Sequence, residues 1–352
     1  MKRKKKILVA PLDWGIGHAT RCVPVIKNLL FRNFEVIIAA DKSPLDLLRK
    51  EFPEIKTIKL KGYEVSYSKY IPMALNILIQ IPKIYYRIRK ENKILKDIVD
   101  RYSIDGIISD NRFGLYTAKI PCVFITHQLR INSPYFEQII QNINYKFINN
   151  YSQCWIPDSK EEKLSGELGH PGFLPNNTKY IGSLSRMKKS INKELCYDIL
   201  VIVSGPEPQK TIFAEKMKKL LKKRKEKSII VLGSPSKNNT EKIKNLTIKS
   251  FADSQELSNL LAQSNIVICR SGYSTIMDLA KIGKKAILIP TPGQTEQEYL
   301  ASYFLKRKIC YSENQNNLNI ERMLINSKKF IGFSKKEQKI DWDELFSLFK
   351  NK

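Results

Sequence analysis

The stretch Ile7–Leu30, ILVAPLDWGIGHATRCVPVIKNLL, changes from a strand pattern to a helix pattern part-way along its length. Its first residues form a continuous apolar run typical of a buried strand, and the residues from Ala19 onward are spaced as in an amphipathic helix. Gly15, Gly17 and His18 lie at the joint. In a parallel sheet such a turn lies at the carboxyl end of a strand, where ligands bind and helix N–H groups attract anions. We therefore expect a ligand site here; the alternative is a tight connection in which His18 caps the helix or faces solvent.

The same alternation recurs along the chain. Strand-like apolar runs form one series at 6–11, 35–40, 104–109 and 121–126, and a second at 198–204, 228–233, 265–269 and 285–290. Such runs, separated by helices, indicate parallel sheets covered on both faces. A chain of 352 residues also exceeds one typical core. We predict an α/β fold with two Rossmann-like doubly wound domains, 1–185 and 186–335, and a C-terminal helix at 336–352 that packs back on the N-terminal domain.

The composition is strongly basic. The chain has 61 Lys and Arg against 34 Asp and Glu, a formal net charge of +27, and residues 216–227 read KMKKLLKKRKEK. Such a surface attracts nucleic acid, an anionic membrane or a phosphorylated substrate, although a coding bias would produce the same composition. No helix-turn-helix, RNP or zinc pattern is visible, so we expect no specific nucleic-acid partner.

Cysteine spacing and hydropathy indicate the compartment. The six cysteines lack zinc-type spacing, which predicts reduced, buried thiols in a cytoplasmic protein. The apolar run after the basic N-terminus ends at Asp13, too soon for a signal peptide, and no run of about 18 apolar residues would span a bilayer. Residues 70–90, YIPMALNILIQIPKIYYRIRK, suit either a segment that dips into anionic lipid or an ordinary helix packed on the sheet. We predict peripheral attachment to the inner face of the cell membrane.

Three polar loops follow strands of the second series. The loop at 204–211 contains Lys210, which can neutralise a phosphate, and the loop at 270–275 opens a helix whose first N–H groups suit a diphosphate. Asp278, one turn further on, is placed for ribose hydroxyls. The next strand is followed by Gln294, Glu296 and Gln297. Together these loops predict a nucleotide site.

The GxGH turn, the segment RSGYSTIMD at 270–278 and the Gln-rich loop resemble the family 28 glycosyltransferases of the GT-B fold, the family of the lipid II N-acetylglucosaminyltransferases. The resemblance implies two Rossmann-like domains facing a cleft. The N-terminal domain would bind the acceptor, and the C-terminal domain a nucleotide-sugar that is usually UDP-linked. The donor-binding residues implied are Gly15, Gly17, Ser204, Gly205, Gln209, Lys210, Phe251, Ala252, Arg270, Ser271, Gly272, Ser274, Thr275, Asp278, Gln294, Glu296 and Gln297.

The resemblance also implies which part of the donor each of these residues contacts. The loop from Ser204 to Lys210 would lie at the diphosphate, together with Ser274 and Thr275, and Phe251 and Ala252 would border the uracil. Asp278 would bind the ribose, Gln294, Glu296 and Gln297 the sugar hydroxyls, while Gly15, Gly17 and His18 would reach the transferred sugar. Lys210 or Arg270, with the helix N-termini, would offset the diphosphate charge.

Sugar transfer to a hydroxyl needs a base for the hydroxyl proton and fixed dipoles for the departing diphosphate. His18 is the candidate base, and Asp13 is either its rival or the group that orients it. Asp110, after a predicted strand, is placed to touch the acceptor or to cap the next helix. The predicted acceptor residues are Asp110, Arg112, His127 and Gln128, with His127 alternatively a core histidine.

No metal or cofactor is expected. The single Asp-x-Asp, at 341–343, precedes a predicted helix, where acids favour the positive end of the helix dipole. The expected function is inverting, metal-independent transfer of a sugar, an N-acetylhexosamine, from a nucleotide-sugar to a glycan or lipid-linked hydroxyl in cell-envelope glycan synthesis. A sugar-nucleotide epimerase on the same fold and a non-catalytic nucleotide-sugar binder are the alternatives.

Overall fold

The computed structural model of the chain describes residues 3–65, 73–131, 137–188, 194–334 and 339–350, with backbone only for 73–78. The chain divides into two compact units. The first comprises Met1–Asp13, His18–Leu184 and Gln338–Lys352, and the second comprises Trp14–Gly17 and Ser185–Glu337. The two predicted Rossmann-like sheets are both present, one in each unit.

The first unit contains a parallel sheet of seven strands among the described residues. Its strands are β1 (Lys6–Pro11), β2 (Glu35–Ala40), β3 (Thr57–Lys59), β4 (Gly106–Asp110), β5 (Cys122–Ile125), β6 (Gln153–Ile156) and β7 (Thr178–Tyr180). Their order across the sheet is β3-β2-β1-β4-β5-β6-β7, and every neighbouring pair is parallel. The order reverses at β1, so the connections leave β1 and β4 in opposite directions.

Helices cover both faces of this sheet. They are α1 (Gly17–Phe31), α2 (Lys42–Glu51), α3 (Met73–Tyr102) and α4 (Glu137–Ile148). Because both faces are covered, β1 is a continuous apolar run in which Ile7, Leu8 and Val9 have no solvent exposure. The core on one face joins Leu8 and Ile107 of the sheet to Leu95 of α3.

The second unit contains its own seven-stranded sheet within the described residues. Its strands are β8 (Tyr197–Ile202), β9 (Ser228–Val231), β10 (Thr240–Ile243), β11 (Leu246–Lys249), β12 (Ser264–Cys269), β13 (Ala286–Leu288) and β14 (Tyr311–Ser312). They are ordered β10-β11-β9-β8-β12-β13-β14, all parallel except the antiparallel hairpin β10–β11. Here the order reverses at β8.

The helices of the second unit are α5 (Gln209–Leu221), α6 (Ser254–Ala262), α7 (Tyr273–Ile282), α8 (Thr295–Lys306) and α9 (Ile320–Ser327). Local chemistry fixes several of their ends. Asp253 accepts a hydrogen bond of 2.8 Å from the Glu256 N–H and so caps α6. Gly283 ends α7 with φ of 72°, a left-handed conformation that glycine adopts without steric cost.

A last helix, α10 (Trp342–Ser347), belongs to the first unit. Asp341 caps it by accepting a hydrogen bond of 2.9 Å from the Glu344 N–H. Asp343 accepts hydrogen bonds of 2.9 and 2.8 Å from Arg32 of α1. Asp341 of the Asp-x-Asp is therefore a helix cap, as predicted, and Asp343 forms an ion pair with Arg32.

The described cysteines carry no disulfide. Five of the six are buried, as predicted, and Cys196 is partly exposed. In the part of the chain that the structure describes, no helix is both long and apolar enough to cross a membrane. Residues 70–72 of the predicted lipid-contacting segment lie outside the described residues, and the rest lies in α3.

Candidate active site

The reversal of strand order in the first sheet brings the turn after β1 next to the end of β4. The Leu12 N–H donates a hydrogen bond of 2.9 Å to the carbonyl of Asp110, the last residue of β4. Ligands of doubly wound sheets bind at this point, beyond the carboxyl ends of the strands.

His18 and Asp110 form a hydrogen-bonded pair at this edge. His18 Nδ1 lies 2.7 Å from Asp110 Oδ1; the His18 side chain is 15% exposed and the Asp110 side chain is fully buried. Burial by itself raises the pKa of Asp110, but the neighbouring Arg21 and His18 together hold that pKa below its ordinary value. Asp110 is therefore an anion that can orient the imidazole and stabilise its protonated form.

Arg21 of α1 joins the pair to a second histidine. Its guanidinium is 2% exposed and donates to both carboxylate oxygens of Asp110. Nη2 also lies 2.8 Å from His18 Nδ1, and Nη1 lies 2.9 Å from Nδ1 of His127, which follows β5. The structure thus brings three predicted residues, His18, Asp110 and His127, into one network around an arginine that the sequence analysis did not single out.

Asp13 has different partners. Its carboxylate pairs with Lys42 Nζ at 3.3 Å and packs against Gly62, where a Cβ would come within 1.8 Å of Asp13 Oδ1. In this geometry the residue that orients His18 is Asp110 and not Asp13.

The Arg112 side chain is not placed to contact an acceptor. Its guanidinium is fully buried and pairs with Glu91 at 2.6 Å. It also donates to the carbonyls of Pro11, Leu60 and Lys61. The predicted contact of Arg112 with the acceptor is corrected accordingly: the side chain joins the ends of β1 and β3 to Glu91 inside α3. Gln128, by contrast, is partly exposed beside His127.

In the second unit the order reverses between β8 and β12, and α7 begins directly after β12. Gly272 precedes the helix with extended backbone and provides no side-chain cap. The first N–H groups of any helix lack intrahelical partners and favour anions, so this end of α7 suits a diphosphate. Thr275 is partly exposed in the first turn, and Ser274 Oγ donates a hydrogen bond of 2.9 Å to the Gly17 carbonyl, which belongs to this unit.

Arg270 is directed into the interior of the second unit. Its fully buried guanidinium donates to the carbonyls of Ile289 and Pro290 at 3.2 Å, to the Gln209 carbonyl at 2.9 Å and to Gln315 Oε1 at 2.5 Å. Burial lowers the pKa of Arg270 to about 10. These bonds tie the ends of β12, β13 and α5 together. The predicted contact between this side chain and the diphosphate is therefore corrected to a supporting role.

Lys210 is also held by protein groups. Its Nζ donates to the Gly233 carbonyl at 3.0 Å and to Ser234 Oγ at 3.1 Å, and burial lowers its pKa. Gln209 Oε1 accepts a hydrogen bond of 2.9 Å from Gln315. In this arrangement both side chains join α5 to neighbouring loops.

Asp278, which the sequence analysis predicts to bind the ribose, is hydrogen-bonded to a protein side chain in this structure. Its Oδ1 accepts a hydrogen bond of 2.6 Å from Ser185 Oγ. Burial raises the pKa of Asp278 to about 6, although Arg186 and Ser185 both favour the anion.

The loop after β13 contains two buried oxygens without a hydrogen-bond partner. They are Oγ1 of Thr291 and Oε1 of Gln294. Gly205, with φ of 106°, faces this loop, and a Cβ there would lie 3.7 Å from Thr291 Oγ1. Buried oxygens are normally paired, so two unpaired ones suggest the hydroxyl groups of a ligand.

The remaining predicted donor residues support this loop or lie near it. Gln297 is buried, and its Oε1 accepts a hydrogen bond of 2.9 Å from the Thr291 N–H. Ser271 Oγ donates to the Gln297 carbonyl at 2.7 Å. Glu296 is in the first turn of α8, Ser204 follows β8, and Phe251 and Ala252 are buried after β11.

Comparisons with known proteins agree with this arrangement. Residues 199–340 match the glycosyltransferase family 28 C-terminal domain. The chain is 24% identical over 323 residues, 90% of its length and 87% of the relative, to a UDP-N-acetylglucosamine--N-acetylmuramyl-(pentapeptide) pyrophosphoryl-undecaprenol N-acetylglucosamine transferase of Sulfurihydrogenibium sp.. It is 23% identical over 338 residues, 92% of the chain and 88% of the relative, to the enzyme of the same name from Borreliella burgdorferi.

Two solved structures share the fold. Acinetobacter baumannii MurG has a TM-score of 0.54 at 13% identity, with 93% of this chain and 92% of that one covered. The glycosyltransferase SnogD from Streptomyces nogalater has a TM-score of 0.60 at 11% identity, covering 92% and 91%. The chain is a family 28-like GT-B glycosyltransferase. The predicted family, fold class and enzyme class, a hexosyltransferase, are confirmed.

The family 28 match includes the loops that the sequence analysis predicts to bind the donor, from the end of β8 to the start of α8. Three residues in or beside the sites were missed by sequence reasoning. Arg21 resembles an ordinary polar residue of an amphipathic helix, and Thr291 and Gln315 stand in loops with no motif of their own. A signal for Arg21 was available, because it lies one turn after His18 and therefore on the same helix face.

Proposed function

We propose that this enzyme transfers an N-acetylhexosamine from a UDP-linked donor to a hydroxyl of a lipid-linked acceptor in cell-envelope glycan synthesis. The observation that carries the proposal is the His18–Asp110 hydrogen bond at the carboxyl edge of the first sheet. The names of the relatives, which specify UDP-N-acetylglucosamine and a pyrophosphoryl-undecaprenol acceptor, support this choice of donor and acceptor.

His18 acts as the general base in this proposal. When Nδ1–H is donated to Asp110, the lone pair of the imidazole is on Nε2, which takes the proton of the acceptor hydroxyl. The acceptor oxygen then bonds to C1 of the sugar as the bond from C1 to the diphosphate oxygen breaks, with inversion at C1. Asp110 stabilises the imidazolium that forms, as the carboxylate does in other base–carboxylate pairs.

The second unit binds the donor. The N–H groups at the start of α7 bind the diphosphate and stabilise the charge that develops on it as it leaves. Thr291 and Gln294 supply their unpaired oxygens to hydroxyls of the sugar. The transfer needs no metal in this proposal, because helix dipoles offset the diphosphate charge and the acids at 341–343 are a cap and an ion pair.

The enzyme binds an anionic membrane surface through α3. In the first half of this helix Ile79 is 63% exposed, Tyr85 46% and Tyr86 64%, whereas Leu95, Ile98 and Val99 in its second half are buried in the core on the sheet. Basic residues such as Lys90 are exposed on the same helix. Exposed aliphatic and aromatic groups beside basic ones suit a lipid interface, and the net charge of +27 adds attraction to anionic lipid.

A donor panel tests the transfer. Thermal unfolding is measured with UDP-, GDP- and dTDP-sugars, because a ligand that binds the native state raises the melting temperature. We expect UDP-N-acetylhexosamines to give the largest rise, and mass spectrometry to show one added N-acetylhexosamine on an undecaprenyl-pyrophosphoryl-sugar acceptor. Stabilisation by GDP- or dTDP-sugars alone would refute the proposed donor. A new sugar stereoisomer formed from donor alone would establish an epimerase instead.

Vesicle co-sedimentation tests the membrane surface. We expect binding to vesicles of anionic lipid at low salt, weaker binding in high salt, and a loss of binding in an Ile79→Ser/Tyr86→Ser variant. Phe31→Ser is the matched control, because Phe31 is an exposed apolar residue (84%) on α1. Equal binding of the α3 variant and the control would contradict the role of α3.

A further inference from the structure

We propose that Arg21 is a positioning residue of the transfer reaction, which sets the tautomer of His127 by donating to its imidazole and that of His18 by fixing the Asp110 carboxylate that accepts from it. The inference rests on the proposed function, in which His18 is the base. It adds a residue that acts through Asp110 and the two histidines.

The first step concerns His127. An arginine side chain has N–H donors and no acceptor, and it keeps its charge in proteins. Arg21 Nη1 lies 2.9 Å from His127 Nδ1, so this nitrogen must accept the hydrogen bond. The proton of a neutral His127 is therefore on Nε2, and Nε2–H is the group that the ring can donate.

The second step concerns His18, whose Nδ1 has two close neighbours. Asp110 Oδ1 is 2.7 Å away and can only accept, whereas Arg21 Nη2 is 2.8 Å away and can only donate. Nδ1 cannot donate to Asp110 and accept from Arg21 at the same time. Arg21 Nη2 also donates to Asp110 Oδ1 at 2.5 Å, so it retains a partner when Nδ1 carries a proton. An unprotonated Nδ1 would instead place its lone pair against a carboxylate, so the proton resides on Nδ1.

The third step is the consequence for the base. With Nδ1–H bonded to Asp110, His18 presents the lone pair of Nε2, whereas His127 presents an N–H. Arg21 donates to His127 directly and fixes the Asp110 carboxylate that accepts from His18, so the two histidines have opposite tautomers, one an acceptor and one a donor.

The experiment reads the ring nitrogens directly. The chain contains only three histidines, so selective ¹⁵N labelling gives a spectrum of six ring nitrogens. In the wild type at neutral pH we expect a protonated Nδ1 and bare Nε2 for His18, and the reverse for His127. In Arg21→Lys, which keeps the charge but loses the fork, His127 should become a mixture of tautomers. His170, whose Nε2 lies 3.1 Å from Asp158, is the internal reference and should not change.

Arg32→Lys is the matched control. Arg32 is on the same helix and pairs with a carboxylate, Asp343, through a similar fork. This control should leave all six nitrogens and the turnover unchanged. Arg21→Lys should lower kcat by about 100-fold, the cost of misplacing a reacting group by roughly 1 Å, with little change in the KM values.

The wild-type spectrum tests the inference even if Arg21→Lys is poorly folded. The same tautomer for His18 and His127 in the wild type would overturn it, and so would an Arg21→Lys variant with unchanged ring nitrogens. Opposite tautomers that depend on Arg21 support it, because this readout does not require turnover. A wild type with those tautomers and no transfer from any nucleotide-sugar would refute the proposed function alone.

Discussion

Asp278 makes the stability of the second unit depend on pH. Asp278 is 9% exposed, and burial raises its pKa from the ordinary 3.8 to about 6. Between pH 4 and 6 the native state keeps a proton that the unfolded chain releases, so the free energy of unfolding falls as pH rises through this window. A shift of roughly 2 pKa units corresponds to about 3 kcal/mol at pH 7.

Asp278→Asn removes this dependence. The amide stays neutral at every pH, and its oxygen can still accept the hydrogen bond of 2.6 Å that Ser185 Oγ donates. We expect the variant to be more stable than the wild type at pH 7, by up to about 3 kcal/mol, and about equally stable at pH 4. The difference between the two proteins should therefore grow as pH rises from 4 to 6.

Urea unfolding followed by circular dichroism, at half-unit steps from pH 4 to 7.5, measures the difference. Glu241→Gln on the exposed strand β10 is the control for an acid-to-amide change and should be neutral. A variant that parallels the wild type at all pH values would refute the reasoning. So would a variant that is destabilised at pH 7, because that result requires a stabilising anion at this position.

Three further predictions concern the first unit and the metal. Arg112→Met should destabilise the protein by about 3–5 kcal/mol, because it leaves the Glu91 carboxylate buried without its partner. Adding Glu91→Met to the same chain should recover much of the lost stability. Urea unfolding measures both variants. Asp110→Asn should lower kcat by about 100-fold or more in the transfer assay, since His18 loses the anion that stabilises its protonated form. An unchanged kcat would exclude a catalytic role for the His18–Asp110 pair. EDTA should leave initial rates unchanged, and a strict requirement for added Mn²⁺ would contradict metal-independent transfer.

The central strands could be predicted from sequence because each is a continuous apolar run covered on both faces. The predicted runs at 6–11 and 35–40 coincide with β1 and β2. Six strands of two to four residues were missed, because such short segments have little periodicity to detect: β3, β6, β7, β10, β11 and β14. The α/β class needed only the long central strands, which is why it was predicted correctly.

The candidate sites were predictable in position but not in the direction of each side chain. The sequence places Arg112 and Arg270 at strand ends, where ligand contacts are expected, yet both guanidinium groups turn inward to carbonyls. Which way a side chain turns depends on acceptors that are distant in sequence, and no local pattern reveals them. The His18–Asp110 pair has the same origin, because 92 residues separate its members and only the β1–β4 pairing brings them together.

The most direct measurement compares sugar transfer by the wild type and His18→Ala, with UDP-N-acetylglucosamine and a lipid-linked acceptor at saturation. UDP affinity, measured by calorimetry on the same samples, reports separately on the donor site. We expect turnover to fall by at least about 100-fold while the UDP affinity stays the same. Near-normal turnover in a folded His18→Ala enzyme would contradict the role of His18 as the base.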